Sequence, residues 1–190
     1  MFPSVYCNIE VRGTVTQGHG AMIAPVLSTL MSVLHSYFVN HPQEFALDLP
    51  LMKPGKSHNP AILGHVVRIF SQSLASCDDL LEVIDSHVSL SQYIMTGRLR
   101  SLSKYDGQWA SLHRVRIAPR SQPNNRHADL QSQESRQSPY LAIYSRSTGQ
   151  NFSLLLERRK YPAGHSVTQG ILNSYGLSGV QPVYLPDLPL

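Results

Sequence analysis

The chain has 190 residues, 42% of them hydrophobic and 15% charged, which is enough apolar surface for a packed core and excludes general disorder. Two cysteines exclude a disulfide scaffold and a four-thiolate zinc site, and fit a cytoplasmic protein with free thiols. The net charge of +4 is uneven: residues 1–97 carry 4 Lys+Arg against 7 Asp+Glu, residues 98–160 carry 12 against 4, and residues 161–190 carry none against one, so basic charge gathers where a polyanion would bind.

Asn8, Glu10 and Arg12 interrupt any apolar run at the start, so no secretory signal is expected. Residues 5–12 alternate, with Val5, Cys7, Ile9 and Val11 on one face, and predict a half-buried strand with Cys7 in the core. A glycine-rich loop with Gly13, Gly18 and Gly20 follows. Residues 21–39 contain no Lys, Arg, Asp or Glu and approach the length of a membrane span. Ser28, Thr29, Ser32, His35 and Ser36 form one polar stripe there, opposite Ile23, Val26, Leu27, Leu30, Leu34 and Phe38. The pattern is that of an amphipathic helix on a core, with Pro25 near its first turn and Asn40, His41 and Pro42 ending it.

Phe45, Leu47 and Leu49 alternate with Ala46 and Asp48 in a second short strand, and 65–70 is a β-branched third strand. Ser76 with Asp79 predicts a capped helix over 77–87, with Leu80, Leu81 and Ile84 inward. Residues 93–102 read as a fourth strand broken near Gly97. The order strand, helix, strand, strand, helix, strand predicts a ferredoxin-like βαββαβ domain over residues 1–104, in an α+β protein. Residues 105–190 form a strand-rich second domain, with strands over 109–117, 140–146, 151–158, 171–175 and 182–185. The strands over 140–146 and 151–158 make a hairpin, and residues 118–139, polar with three prolines, read as a long loop or a partly ordered arm.

Several motifs are set aside. Gly55, Lys56 and Ser57 lack the first glycine of a phosphate loop, since position 50 is Pro50. No two of the nine histidines share a helix face at metal-ligand spacing, so no metal or other cofactor is expected. The strand over 65–70 offers only Phe70 for base stacking, which disfavours an RNA-recognition motif. His35 lies on the polar stripe, where an isolated histidine is most often an ordinary half-exposed residue.

Other stretches change the weight of His35: LMSVLH at 30–35, LGHVVRIF at 63–70, SRSTGQNF at 145–152 and YGLS at 175–178. In these motifs the chain resembles the CRISPR-associated endoribonucleases that process precursor guide RNA in type I-F (Csy) systems, over most of its length. The resemblance implies metal-independent cleavage at the foot of a repeat stem-loop. The 2′-hydroxyl attacks the adjacent phosphate and leaves a 2′,3′-cyclic phosphate. It also implies retention of the 3′ stem-loop within a guide-RNA surveillance complex, with no membrane or small-molecule cofactor. By this likeness His35 is the general base, Ser145 positions the ribose and Tyr175 orients His35. Ser147 and Thr148 contact phosphate or shape the turn, Arg146 and Gln150 are further RNA contacts in the same stretch, and Phe152 stacks on a base. Arg114 and Arg116 match positions that read the stem's major groove. Arg116 stands where the family carries glutamine, and arginine prefers guanine where glutamine prefers adenine.

Residues 118–139 offer Arg120, Arg126 and Arg136 for RNA contact where well-known members carry a dense arginine-rich helix. Fewer phosphate contacts predict weaker binding to a free hairpin and a shallower salt dependence. A structural subunit that caps the guide RNA without cutting it is therefore the second reading. A ferredoxin-like regulatory domain without RNA is a third, disfavoured by the basic segment. Residues 186–190 extend past the family's usual end and carry no assigned role.

Overall fold

The computed structural model describes residues 3–12, 19–56, 59–102, 104–116, 137–144, 149–166 and 170–190, with residues 19–22 as backbone alone. Its first half runs β1 (Val5–Val11), α1 (His19–Phe38), β2 (Phe45–Asp48), β3 (Val66–Ser71), α2 (Leu74–Asp85), β4 (Ile94–Thr96) and β5 (Arg100–Ser101). These strands make an antiparallel sheet in the order β2-β3-β1-β4, with β5 also pairing β1. Gly97 separates β4 from β5: its N–H donates to the Asn8 carbonyl at 2.7 Å, and a Cβ there would stand 2.8 Å from that oxygen. The second half adds β6 (Trp109–Val115), β7 (Tyr140–Tyr144), β8 (Asn151–Tyr161) and β9 (Leu185–Pro186), antiparallel in the order β7-β8-β6-β9.

Period-two alternation sends the two faces of the first sheet to two separate clusters. Val5, Cys7, Ile9, Phe45, Leu47, Val67 and Ile69 point to the helices, where they meet Leu27, Leu30 and Leu34 of α1 and Cys77, Leu80 and Ile84 of α2. Leu112, Leu141, Ile143, Leu154 and Leu156 of the second sheet enter this same cluster, so the halves share a core. Burial pushes the Cys7 thiol up to about 12, as expected of a thiol in the core. On the opposite face, Tyr6, Ala46 and Phe70 pack with Leu172, Val183 and Leu185.

That second cluster buries Tyr6 of β1 on the face that the half-buried reading of 5–12 left open, and it extends over β2 and β3. Every residue of β2 and β3 is buried, because the segment carrying Leu172, Val183 and Leu185 covers the face that alternation alone leaves open. The cover includes polar contacts to two arginines whose side chains are buried. Asp48 of β2, fully buried, takes two hydrogen bonds from Arg158 of β8 at 2.6 and 2.8 Å, and Arg158 also bonds Asp187 at 2.7 Å. Arg68 of β3, also fully buried, donates to Asn8 Oδ1 and to the carbonyls of Leu188 and Pro189 at 2.7–2.9 Å. Residues 186–190, which had no role in the sequence reading, thus satisfy two buried arginines.

Local expectations shift in four places. The first helix begins at His19, so Pro25 lies in its second turn rather than its first. The second helix is capped by Ser73, whose hydroxyl accepts from the Ser76 N–H, three residues before the predicted cap. Ser73 is extended at φ −117°, the geometry an N-cap needs, while Ser76 is already helical. The predicted strand over 171–175 is a turn, and the last strand is Leu185–Pro186. The hairpin of β7 and β8 forms as expected, closing on the pair Tyr144 and Asn151. The loop glycines Gly13 and Gly18, residue 117 and most of the 118–139 loop lie outside the described residues. Among those described, no helix is long and apolar enough to cross a membrane.

Candidate active site

His35 sits in the last turn of α1, at the end of the polar stripe. On either side of it, Ser32 and Ser36 turn their hydroxyls back onto carbonyls four residues earlier, at 2.9 Å, leaving His35 as the stripe's ring. The imidazole lies on the ring of Tyr175, with centroids 4.1 Å apart and planes 9° from parallel. Its Nδ1 is 2.8 Å from the carbonyl oxygen of Ser174. A carbonyl only accepts, so the neutral ring carries its proton on Nδ1 and keeps Nε2 as the free base.

The turn that presents Ser174 and Tyr175 is built from its own sequence. The Asn173 side chain accepts from the N–H groups of Tyr175 and Leu177 at 2.8 and 3.3 Å. This is the asparagine-led turn that competes with strand pairing, and it explains why 171–175 is not a strand. Gly176 closes the turn at φ +69°, and its carbonyl accepts from the Leu47 N–H of β2 at 2.8 Å. A Cβ on Gly176 would stand 2.8 Å from the Phe38 ring and 3.0 Å from the Phe45 carbonyl. The turn is therefore pressed against the end of α1 and the start of β2.

Tyr175 is buried at 9% exposure. Burial pushes its phenol above the ordinary value, and the charge of Arg114 pulls the opposite way. The Arg114 guanidinium, exposed on β6, stands 5.4 Å from the centre of the Phe152 ring on β8. Two contacts thus stand out: His35 on Tyr175, from α1 and the 173–178 turn, and Arg114 on Phe152, from β6 and β8. A base with a defined tautomer can remove a proton, and a cationic group over an aromatic face can hold a phosphate or a nucleobase.

Arg116 follows β6 and Gln150 precedes β8, both exposed. Ser145, Arg146, Ser147 and Thr148 lie outside the described residues, as do Arg120, Arg126 and Arg136. The site residues that sequence reasoning missed are Asn173 and the Ser174 carbonyl. The first carried a signal, an asparagine three residues before a glycine. The second is a backbone atom and carried none.

A family model described as CRISPR-associated protein (Cas_Csy4) matches residues 14–186. No curated protein matches the chain.

Proposed function

The chain belongs to the Cas_Csy4 family, the CRISPR-associated endoribonucleases of type I-F, and on that premise we propose that it cuts CRISPR repeat RNA without a metal ion at the 3′ foot of a stem-loop. In this reading it then stays on the guide RNA's 3′ hairpin within a type I-F surveillance complex. The strand order β2-β3-β1-β4 with two intervening helices supports treating residues 1–104 as a ferredoxin-like unit, with 105–190 as the RNA-binding and catalytic-motif unit.

The contact between His35 Nδ1 and the Ser174 carbonyl carries the mechanism. Nε2 takes the proton of the ribose 2′-hydroxyl. The freed oxygen attacks the neighbouring phosphorus, the bond to the 5′-oxygen breaks, and that oxygen leaves as a hydroxyl after gaining a proton. The product is a 2′,3′-cyclic phosphate. As His35 becomes an imidazolium, its bond to the Ser174 carbonyl becomes charge-assisted and the Tyr175 ring faces a cation. Ser145 holds the ribose in line, Phe152 stacks on a base at the stem's foot, Arg114 reads a base edge in the stem's major groove, and Arg116 favours guanine where it meets a base edge.

The sparse arginines of residues 118–139 favour a second reading, a hairpin-capping subunit that cuts slowly or not at all. Labelled repeat RNA incubated in excess EDTA with wild type and with His35→Ala separates them. Endoribonuclease activity predicts a cyclic phosphate 3′ of the stem, formed roughly 10²–10⁴-fold more slowly by the variant. Tight binding with no cutting by either protein would establish the capping reading instead.

A further inference from the structure

The corner between α1 and β2 contains a strained residue. Gln43 has φ +66°, and it is the only non-glycine among the described residues with a positive φ. Glutamine gains nothing locally from that conformation, which favours glycine or asparagine, so an observed outlier there calls for a compensating contact.

The contact is with the turn that serves His35. The Gln43 side-chain Nε2 donates to the Leu172 carbonyl at 2.7 Å, and its Oε1 accepts from the Leu172 N–H at 2.9 Å. One amide thus holds both backbone groups of a residue 129 positions away, as a neighbouring strand would. Leu172 is the entrance to the turn. Gly176, tied to the Leu47 N–H, is its exit. The Ser174 carbonyl lies between these two tethers, and the corner carrying Gln43 begins where the helix bearing His35 ends.

We propose that Gln43 is a positioning residue for the cleavage reaction: by clamping Leu172 it sets the Ser174 carbonyl against His35 Nδ1, and so keeps Nε2 unprotonated. The proposal rests on His35 acting as the base. A clamp that only stabilised the fold would act through melting temperature and RNA binding together. A positioning clamp acts on the tautomer and on the chemical step.

Gln43→Gly distinguishes the two, because it relieves the left-handed backbone while deleting both hydrogen bonds. Ring-nitrogen NMR of ¹⁵N-labelled full-length protein reads the His35 tautomer in the free protein. Single-turnover cleavage of repeat stem-loop RNA in excess EDTA reads the chemistry. The expected result is a shift of His35 from the Nδ1–H form toward a mixture containing Nε2–H. Cleavage should slow about 10- to 100-fold, with an unchanged melting temperature and an RNA dissociation constant within about twofold. Retention of the Nδ1–H form with wild-type cleavage would overturn the proposal, and so would a rate loss that merely follows weaker RNA binding or a lower melting temperature. If wild type does not cut, or His35→Ala cuts equally fast, the functional reading fails, and the tautomer spectrum still decides whether Gln43 positions the ring. Should Gln43→Gly not fold, Gln43→Asn, which also tolerates the left-handed backbone and whose amide is one methylene too short to keep both bonds to Leu172, is read in the same way.

Discussion

The reactivity assigned to His35 depends on groups that are not themselves reactive. A histidine at the end of a helix can hold its proton on either nitrogen, and the Ser174 carbonyl selects one form. That carbonyl is aimed by Asn173 inside the turn and by Gly176 at its end. Gly176 is constrained twice, by a left-handed backbone and by the Phe38 ring where a Cβ would go. Gly176→Ala is therefore expected to cost about 2–4 kcal/mol of stability and to slow cleavage beyond what unfolding explains, checked by denaturant melts beside single-turnover rates at a temperature where the variant is folded. His35, Tyr175 and Phe152 could be proposed from the sequence because their side-chain types suit the chemistry and sit in recognisable motifs, and Arg114 because it matches a family position. The Ser174 carbonyl could not, because every residue has a carbonyl and only the fold aims one.

At the scale of elements, local pattern located the strands and helices well and their ends less well. The second helix illustrates the reason. Ser73 and Ser76 both offer a hydroxyl, and Ser76 is followed by an acid at the capping-box spacing. The helix starts earlier, because Ser73 leaves β3 in an extended conformation and places its hydroxyl over the Ser76 N–H at 3.1 Å. Ser73→Ala is expected to destabilise the protein by about 1 kcal/mol, whereas Ser76→Ala stays within roughly 0.5 kcal/mol. Equal losses in thermal melts would contradict the observed cap. The 173–178 turn makes the same point in reverse: a strand was expected over 171–175, and the asparagine side chain satisfies the backbone without one.

For the whole molecule, the ionic cluster joins the two halves. Asp48 comes from the first sheet, Arg158 and Lys160 from the second, and Asp187 from the segment that follows β9. Burial pushes the Asp187 carboxyl up, but hydrogen bonds from Arg158 and Lys160 outweigh it and hold the group below its ordinary value. The carboxylate is thus favoured in the folded state. Its stabilisation is complete above the unfolded carboxyl value near pH 4 and is lost as pH falls through the lower folded value. Wild type is expected to lose stability below about pH 4 more steeply than Asp187→Asn, with no difference in slope between pH 5 and 7. Deleting residues 187–190 removes this carboxylate and strips two acceptors from the buried Arg68. The loss expected is about 3 kcal/mol or more, on the order of 10 °C in melting temperature. A deletion variant that melts with wild type would show that these residues merely lie on the surface.

Sequence by itself determined the two helices and the order of the strands apart from 171–175, the core-facing side of α1 and β1, the concentration of basic charge and the motifs that mark the family. The elements are local patterns that period two or 3.6 is enough to read, and charge and motifs are read along the chain. Only the tertiary structure decided what covers the second face of the first sheet, which carbonyl meets His35, and why Asp48, Arg68 and Arg158 are buried. Each of these depends on groups from distant parts of the chain: 139 positions apart for His35 and Ser174, and 110 for Arg158 and Asp48. Alternation says that a face is apolar, but closing such long loops is a property of the whole chain, and no local pattern encodes which segment arrives there.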